Sequence, residues 1–221
     1  MGKRSGTVFA RQSMSQRVAE SLKAAAEGAL ASRTAAGQAL AEDSERVAAA
    51  CHDMAVRFHR GGKLIVFGDG GPSTDAQHIS VEFVHPVIVG KRALPAISLT
   101  NDGATVTGIA GREGFEEVFA HQLRYLAAAE DIALGISSGG SDPSVARGLE
   151  EASARGLLTI AMVGGDGGTI SRSPAVDHVL VARSDDAYVV KEIHVTAYHI
   201  LWELVHVFFE QPGLLGPEMI G

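Results

Sequence analysis

His78 and Glu82 stand four residues apart in a segment, Gly71 to about Val84, that reads as helical. Side chains at that spacing project from one helix face. An imidazole nitrogen and a carboxylate so placed can clamp a divalent ion. His199, Glu203 and His206 share a face of a second helix near the chain's end by the same rule. Just upstream of His78 lies Gly68-Asp69-Gly70-Gly71-Pro72-Ser73, and further along come Ser137-Ser138-Gly139-Gly140-Ser141 and Gly164-Gly165-Asp166-Gly167-Gly168. Where such a loop opens a helix, free backbone N–H groups and roughly half a positive charge from the macrodipole face outward, which is anion-binding geometry. The first loop is not G-x-G-x-x-G, and no acidic residue follows the second strand in the ribose-binding place, so a dinucleotide fits poorly. Some polar residues have a plainer explanation. His194 and His206, on a mostly apolar helix, read as hydrogen-bonded structural residues, and Glu203 as a surface or interface carboxylate. Cys51 reads as a small buried apolar residue, and Trp202, Phe208 and Phe209 as packing.

The elements that must position these groups follow from the apolar pattern. Short apolar runs predict strands at Lys63 to Phe67, Ala93 to Leu99, Asp131 to Ile136, Leu157 to Val163 and Asp177 to Ala182. Leu22, Ala25, Ala26, Ala29 and Leu30, then Val47, Cys51, Met54 and Phe58, form two apolar stripes at helical spacing. They predict two N-terminal helices with a break near Ser32 to Gly37. A long C-terminal helix is predicted over Tyr188 to Phe209. Residues 1–11 read as a flexible tail and 12–221 as one domain, with 12–60 helical and 61–210 the α/β core. Strands mostly joined by helices imply an α/β fold, a three-layer αβα sandwich around a five-stranded parallel sheet. Right-handed crossovers bring the strand C-terminal ends to one edge, where ligands sit near a topological switch point.

Bulk properties bound the function. The chain has 221 residues, 46% hydrophobic and 20% charged, an ordinary globular mixture. Its net charge of −7 is spread along the chain, so nucleic acid is not an expected partner. No apolar run reaches membrane-spanning length, and Met1 to Met14 lack the apolar core of a secretion signal. With a single cysteine, the expected location is the cytoplasm.

Four segments, in order, resemble one family. Phe67 to Phe83 (FGDGGPSTDAQHISVEF) resembles the G-N-G-G-S-x-x-D-A-x-H-x-x-x-E signature of the bacterial phosphoheptose isomerases, which have the sugar-isomerase (SIS) fold. Leu94 to Asp102 (LPAISLTND) is similar to that family's P-A-I-A-L-(T/S)-x-D strand, and Leu134 to Gly140 (LGISSGG) to its L-G-I-S-T-S-G-N-S loop. Glu192 to Leu201 (EIHVTAYHIL) resembles its Q-E-x-H-x-x-x-x-H-x-L helix.

The resemblance implies an aldose–ketose isomerase acting on sedoheptulose 7-phosphate, a homotetramer with sites at subunit contacts, often with zinc. Proton transfer between C1 and C2 through an enediol needs a carboxylate and an imidazole beside those carbons. By motif position, Glu82 is the expected base and His199 its acid partner. His78, Glu82 and His199 are the expected metal ligands. Asp69, Gly70, Gly71, Ser73, Asp102, Ser137, Ser138, Gly139 and Lys191 are the expected substrate contacts, with Asp102 in the sugar pocket and Ser137, Ser138 and Gly139 on the phosphate. The family's G-x-D-G-G turn also matches Gly164 to Gly168, where the glycines serve backbone geometry.

The departures cluster on chemistry. Pro72, Gly139 and Asp142 replace serines of the phosphate loops, removing donors and adding a carboxylate. Lys191 replaces a glutamine that ligates zinc in metal-bearing relatives, and a protonated ammonium cannot ligate. Lys191 is expected instead to pair with Glu82 or to stabilise an enediolate. The alternative function is a non-catalytic SIS protein that binds a protein partner or senses a sugar phosphate.

Overall fold

The structure, a computed structural model, describes residues 6–215. Helix α1 (Gly6–Glu42) and α2 (Ser44–His59) precede a sheet of β1 (Leu64–Gly68), β2 (Ala96–Ser98), β3 (Ile132–Ser137), β4 (Leu158–Gly164) and β5 (His178–Ala182). Helix α3 (Gly71–Val84) links β1 to β2, α4 (Gly103–Glu113) and α5 (Val118–Leu126) link β2 to β3, and α6 (Pro143–Ala154) links β3 to β4. β4 reaches β5 through a short 3-10 turn, Ile170–Arg172, and α7 (Ala187–Glu210) follows β5.

All pairings are parallel and the strand order is β2-β1-β3-β4-β5. The chain therefore moves outward from β1 to β2 and returns across β1 to lay down β3. That reversal puts the topological switch point between β1 and β3. Strands β1, β3 and β4 are buried throughout, as central strands covered on both faces must be. Successive residues of each strand face opposite layers. Leu64, Val66, Leu134 and Met162 pack with α2, α3 and α7, whereas Ile65, Phe67, Ala133 and Ala161 pack with α5 and α6. This is the expected three-layer αβα sandwich. The edge strand β2 is shorter than its apolar run, and Pro95, which has no N–H to donate, stands just before it.

Two expectations about the N-terminal region change. Of the residues read as a tail, 1–5 lie outside the described residues and 6–11 belong to α1. The break expected at Ser32 to Gly37 is absent, and α1 continues to Glu42. Nothing in that stretch forces a stop. The hydroxyls of Ser32 and Thr34 donate to carbonyls one turn back (Ala29 O, 2.8 Å; Leu30 O, 3.3 Å), and a single glycine costs a helix only about 1 kcal/mol. The chain bends at Asp43 instead.

Among the described residues, no helix is long and apolar enough to cross a membrane.

Candidate functional site

Helix α3 begins where the loop after β1 turns at Gly70, whose φ of 60° suits glycine and few other residues. Pro72 stands in the first turn of α3, where a missing N–H costs the helix no bond. Two turns on, His78 and Glu82 share the α3 face, and His78 Nε2 lies 3.1 Å from Glu82 Oε1. Helix α7 starts at Asp186, which caps it by accepting the Tyr188 N–H at 2.9 Å. Three turns later α7 delivers Tyr198 and His199 to the same place. One ligand atom from each of His78, Glu82 and His199 lies within 4.8 Å of the others, the one such group among the described residues.

Two contacts hold α3 against α7 here. The Trp202 indole N–H donates to the main-chain carbonyl of Glu82 at 2.9 Å, satisfying a carbonyl in the last turn of α3. The Tyr198 hydroxyl lies 2.6 Å from Nδ1 of His78. Burial, with the Asp75 and Glu82 carboxylates nearby, pushes the Tyr198 phenol up, so it keeps its proton. Its ring stands edge-on to His78 at 5.4 Å and to His199 at 4.8 Å. The side chain of Glu82 is 14% exposed and that of His78 is 46% exposed, so the carboxylate is sheltered while the imidazole is reachable. Two nitrogens and one carboxylate oxygen suit a zinc-like cation, and three protein ligands leave a position open.

Lys191 does not join this group, nor does it pair with Glu82. Its ammonium donates to Asp75 Oδ1 at 2.7 Å, to Thr74 Oγ1 at 2.9 Å and to the Gly71 carbonyl at 3.4 Å. The Asp75 side chain is 5% exposed and takes the cation before Glu82 can. Asp102 stands at the N-terminus of α4. It caps α4, accepting the Ala104 and Thr105 N–H groups at 3.0 and 3.2 Å and the Thr105 hydroxyl at 2.6 Å. The Thr105 and Ala104 donors hold its carboxyl below the usual range. Asp102 lines a cavity of about 430 Å³ with Asn101, His121 and Tyr125.

The loops after β1 and β3 meet across the switch point. Ser144 donates to Asp69 Oδ2 at 2.8 Å, and the Ser137 hydroxyl bonds the Asp142 carboxylate. The Gly140 N–H donates to Ser137 Oγ at 2.8 Å. Both serines are buried, and both hydroxyls are already committed to carboxylates of the chain itself. Ser138 and Gly139 open onto a cavity of about 450 Å³ shared with Asp166 and Asp185. Ser73 folds back onto the Gly70 carbonyl at 2.6 Å. The Gly164 to Gly168 turn is structural: a Cβ on Gly140 would lie 2.2 Å from Gly167 O, so the two loops pack backbone to backbone.

His206 is a structural residue, its two ring nitrogens facing the Trp202 and Arg92 carbonyls at 2.7 and 2.9 Å. His194 is buried, its Nε2 has no partner among the described residues, and burial holds its imidazole below the usual range. Cys51 is buried, and burial pushes its thiol up to about 12. The sequence reading missed Tyr198, Asp75 and the Trp202 link. Each acts across more than a hundred residues of chain, and no periodicity within one helix signals such a contact.

Comparison with known proteins agrees with this architecture. A SIS-domain family model matches residues 30–164. The phosphoheptose isomerase of Solidesulfovibrio magneticus is 38% identical over 179 residues, 80% of this chain and 86% of that protein. That of Pelobacter propionicus is 41% identical over 180 residues, 80% of this chain and 93% of that protein. The solved phosphoheptose isomerase of Francisella tularensis superposes with a TM-score of 0.77 at 28% identity, over 84% of this chain and 98% of that one. Its Neisseria gonorrhoeae counterpart gives 0.76 at 27% identity, over 83% and 98%. With the family model matching residues 30–164 and relatives of 38–41% identity covered over most of their length, the chain belongs to the SIS-domain family and, within it, to the phosphoheptose isomerases.

Proposed function

We propose that the protein is a sugar-phosphate aldose–ketose isomerase that takes sedoheptulose 7-phosphate or a close relative. One observation carries the mechanism: a carboxylate from α3 and an imidazole from α7 lie within 4.8 Å of each other at a largely open site. Glu82 takes the proton from C1 of the ketose while His199 gives one to the C2 carbonyl oxygen, and a cis-enediol forms. His199 then takes the proton from the C1 hydroxyl as Glu82 returns its proton to C2, so the aldose forms and both residues regain their starting protonation states. Nothing is oxidised or reduced overall. Removing the proton needs a base with restricted solvation, and the sheltered Glu82 side chain supplies it.

His78, Glu82 and His199 would hold a divalent cation such as zinc, which when bound polarises the sugar's carbonyl oxygen as a Lewis acid. Asp69, Gly70, Gly71, Ser73, Ser137, Ser138 and Gly139 are assigned to the phosphate end. The Asp69 and Asp142 carboxylates there make that grip weaker than bare hydroxyls would. We further assign a cytoplasmic homotetramer. Support comes from the apolar side chains the single chain leaves exposed, Val18, Leu22 and Leu30 on α1 and Val87, Ile88 and Val89 after α3.

The test is solvent exchange. Incubation with sedoheptulose 7-phosphate in deuterated water should place deuterium at the C1–C2 positions, read by NMR. Glu82→Gln should slow this by about 10²–10⁴-fold at unchanged melting temperature. No exchange with any ketose or aldose phosphate, or full exchange in Glu82→Gln, rejects the assignment.

A further inference from the structure

The two nitrogens of His78 face partners of different kinds. Nε2 lies 3.1 Å from Glu82 Oε1, and Nδ1 lies 2.6 Å from the Tyr198 hydroxyl. An ionised carboxylate only accepts hydrogen bonds. In the metal-free protein a neutral His78 therefore carries its proton on Nε2, donates to Glu82, and uses Nδ1 to accept from Tyr198. A cation bound at Nε2 needs the lone pair there. The proton must then sit on Nδ1, and Tyr198 must accept.

A phenol hydroxyl serves both arrangements by rotating its O–H bond. The usual partners behind a metal-binding histidine, a carboxylate or a main-chain carbonyl, serve only the second. Tyr198 is 2% exposed, and its ring is wedged edge-on against both histidines, which holds its oxygen beside Nδ1 of His78. Lys191 does not oppose it, because its ammonium is bonded to Asp75 and Thr74.

We propose that Tyr198 is a positioning residue that lets His78 switch between two tautomers, one donating to Glu82 and one ligating a divalent cation. The centre then holds its cation exchangeably and keeps its hydrogen bonds without it. This rests on the His78–Glu82–His199 group being the functional centre, but its test needs no substrate.

Zinc affinity is measured on the full-length protein by competition with a chelator. Tyr198→Phe should weaken zinc binding by about 10–100-fold, the usual effect of removing a partner behind a metal ligand. In ¹⁵N-histidine NMR of the wild type, the His78 proton should sit on Nε2 without metal and on Nδ1 with zinc. Replacing Tyr198 by 3-fluorotyrosine keeps its size and hydroxyl but makes a poorer acceptor. It should give a smaller loss of zinc affinity at an unchanged melting temperature. A wild-type protein that takes up no zinc, a metal-free His78 protonated on Nδ1, or a Tyr198→Phe affinity equal to wild type overturns the proposal. So does wild-type affinity in the fluorinated protein, since the Phe effect would then be structural. An intact zinc response without deuterium exchange would sink the isomerase assignment and leave this one standing.

Discussion

The ammonium of Lys191 lies 2.7 Å from the carboxylate of Asp75, joining the second turn of α7 to the second turn of α3. Asp75 is almost fully enclosed, whereas the Lys191 side chain is 43% exposed. The carboxylate depends on the lysine more than the reverse. The pair sits just before His78 and Glu82 on one helix and His199 on the other, so it helps set the distance across which they meet.

Lys191→Met should therefore destabilise the protein. Leaving a buried acceptor short of its partner costs about 1–3 kcal/mol, and exposure of the lysine places the value toward the lower end. The double variant with Asp75→Asn should cost less than the two single changes summed. Urea denaturation of the four proteins reads both quantities, and additive single effects would show that the contact carries no stability.

Asp142→Asn should improve binding of a phosphorylated substrate. Two unit charges at about 4 Å interact by about 4 kcal/mol at an effective dielectric of 20. Asp142 is only half-buried, so solvent screening leaves about a third of that, and about 1.4 kcal/mol is tenfold. KM should fall by about tenfold with kcat little changed. Steady-state kinetics in which KM stays level or rises would remove Asp142 from the phosphate end.

Acid should destabilise the fold partly through His194. Burial lowers the folded imidazole's pKa below its ordinary 6.5. A group depressed in this way contributes its stability above the unfolded pKa and loses it as pH falls toward the folded value. Wild-type stability should thus decline below about pH 6.5. His194→Leu should lack that part of the decline, seen by comparing denaturation midpoints at mildly alkaline and mildly acidic pH. Parallel pH profiles for the two proteins would contradict it.

Much of this molecule is set by local pattern. Alternation of apolar strands with helices specifies a covered parallel sheet, because each element's period decides which face it buries. Glycine- and serine-rich turns mark the ligand edge, and His78 and Glu82 share a face simply because four residues nearly complete one helical turn. Those relations lie within single elements and need no knowledge of what packs against them. The tertiary structure decided the rest. His199 meets Glu82 from a helix 117 residues away, and Lys191 goes to Asp75 rather than Glu82. In each case several partners are chemically acceptable. Which one comes close depends on how two helices settle against a shared sheet, and the spacing of residues along either helix carries no record of that.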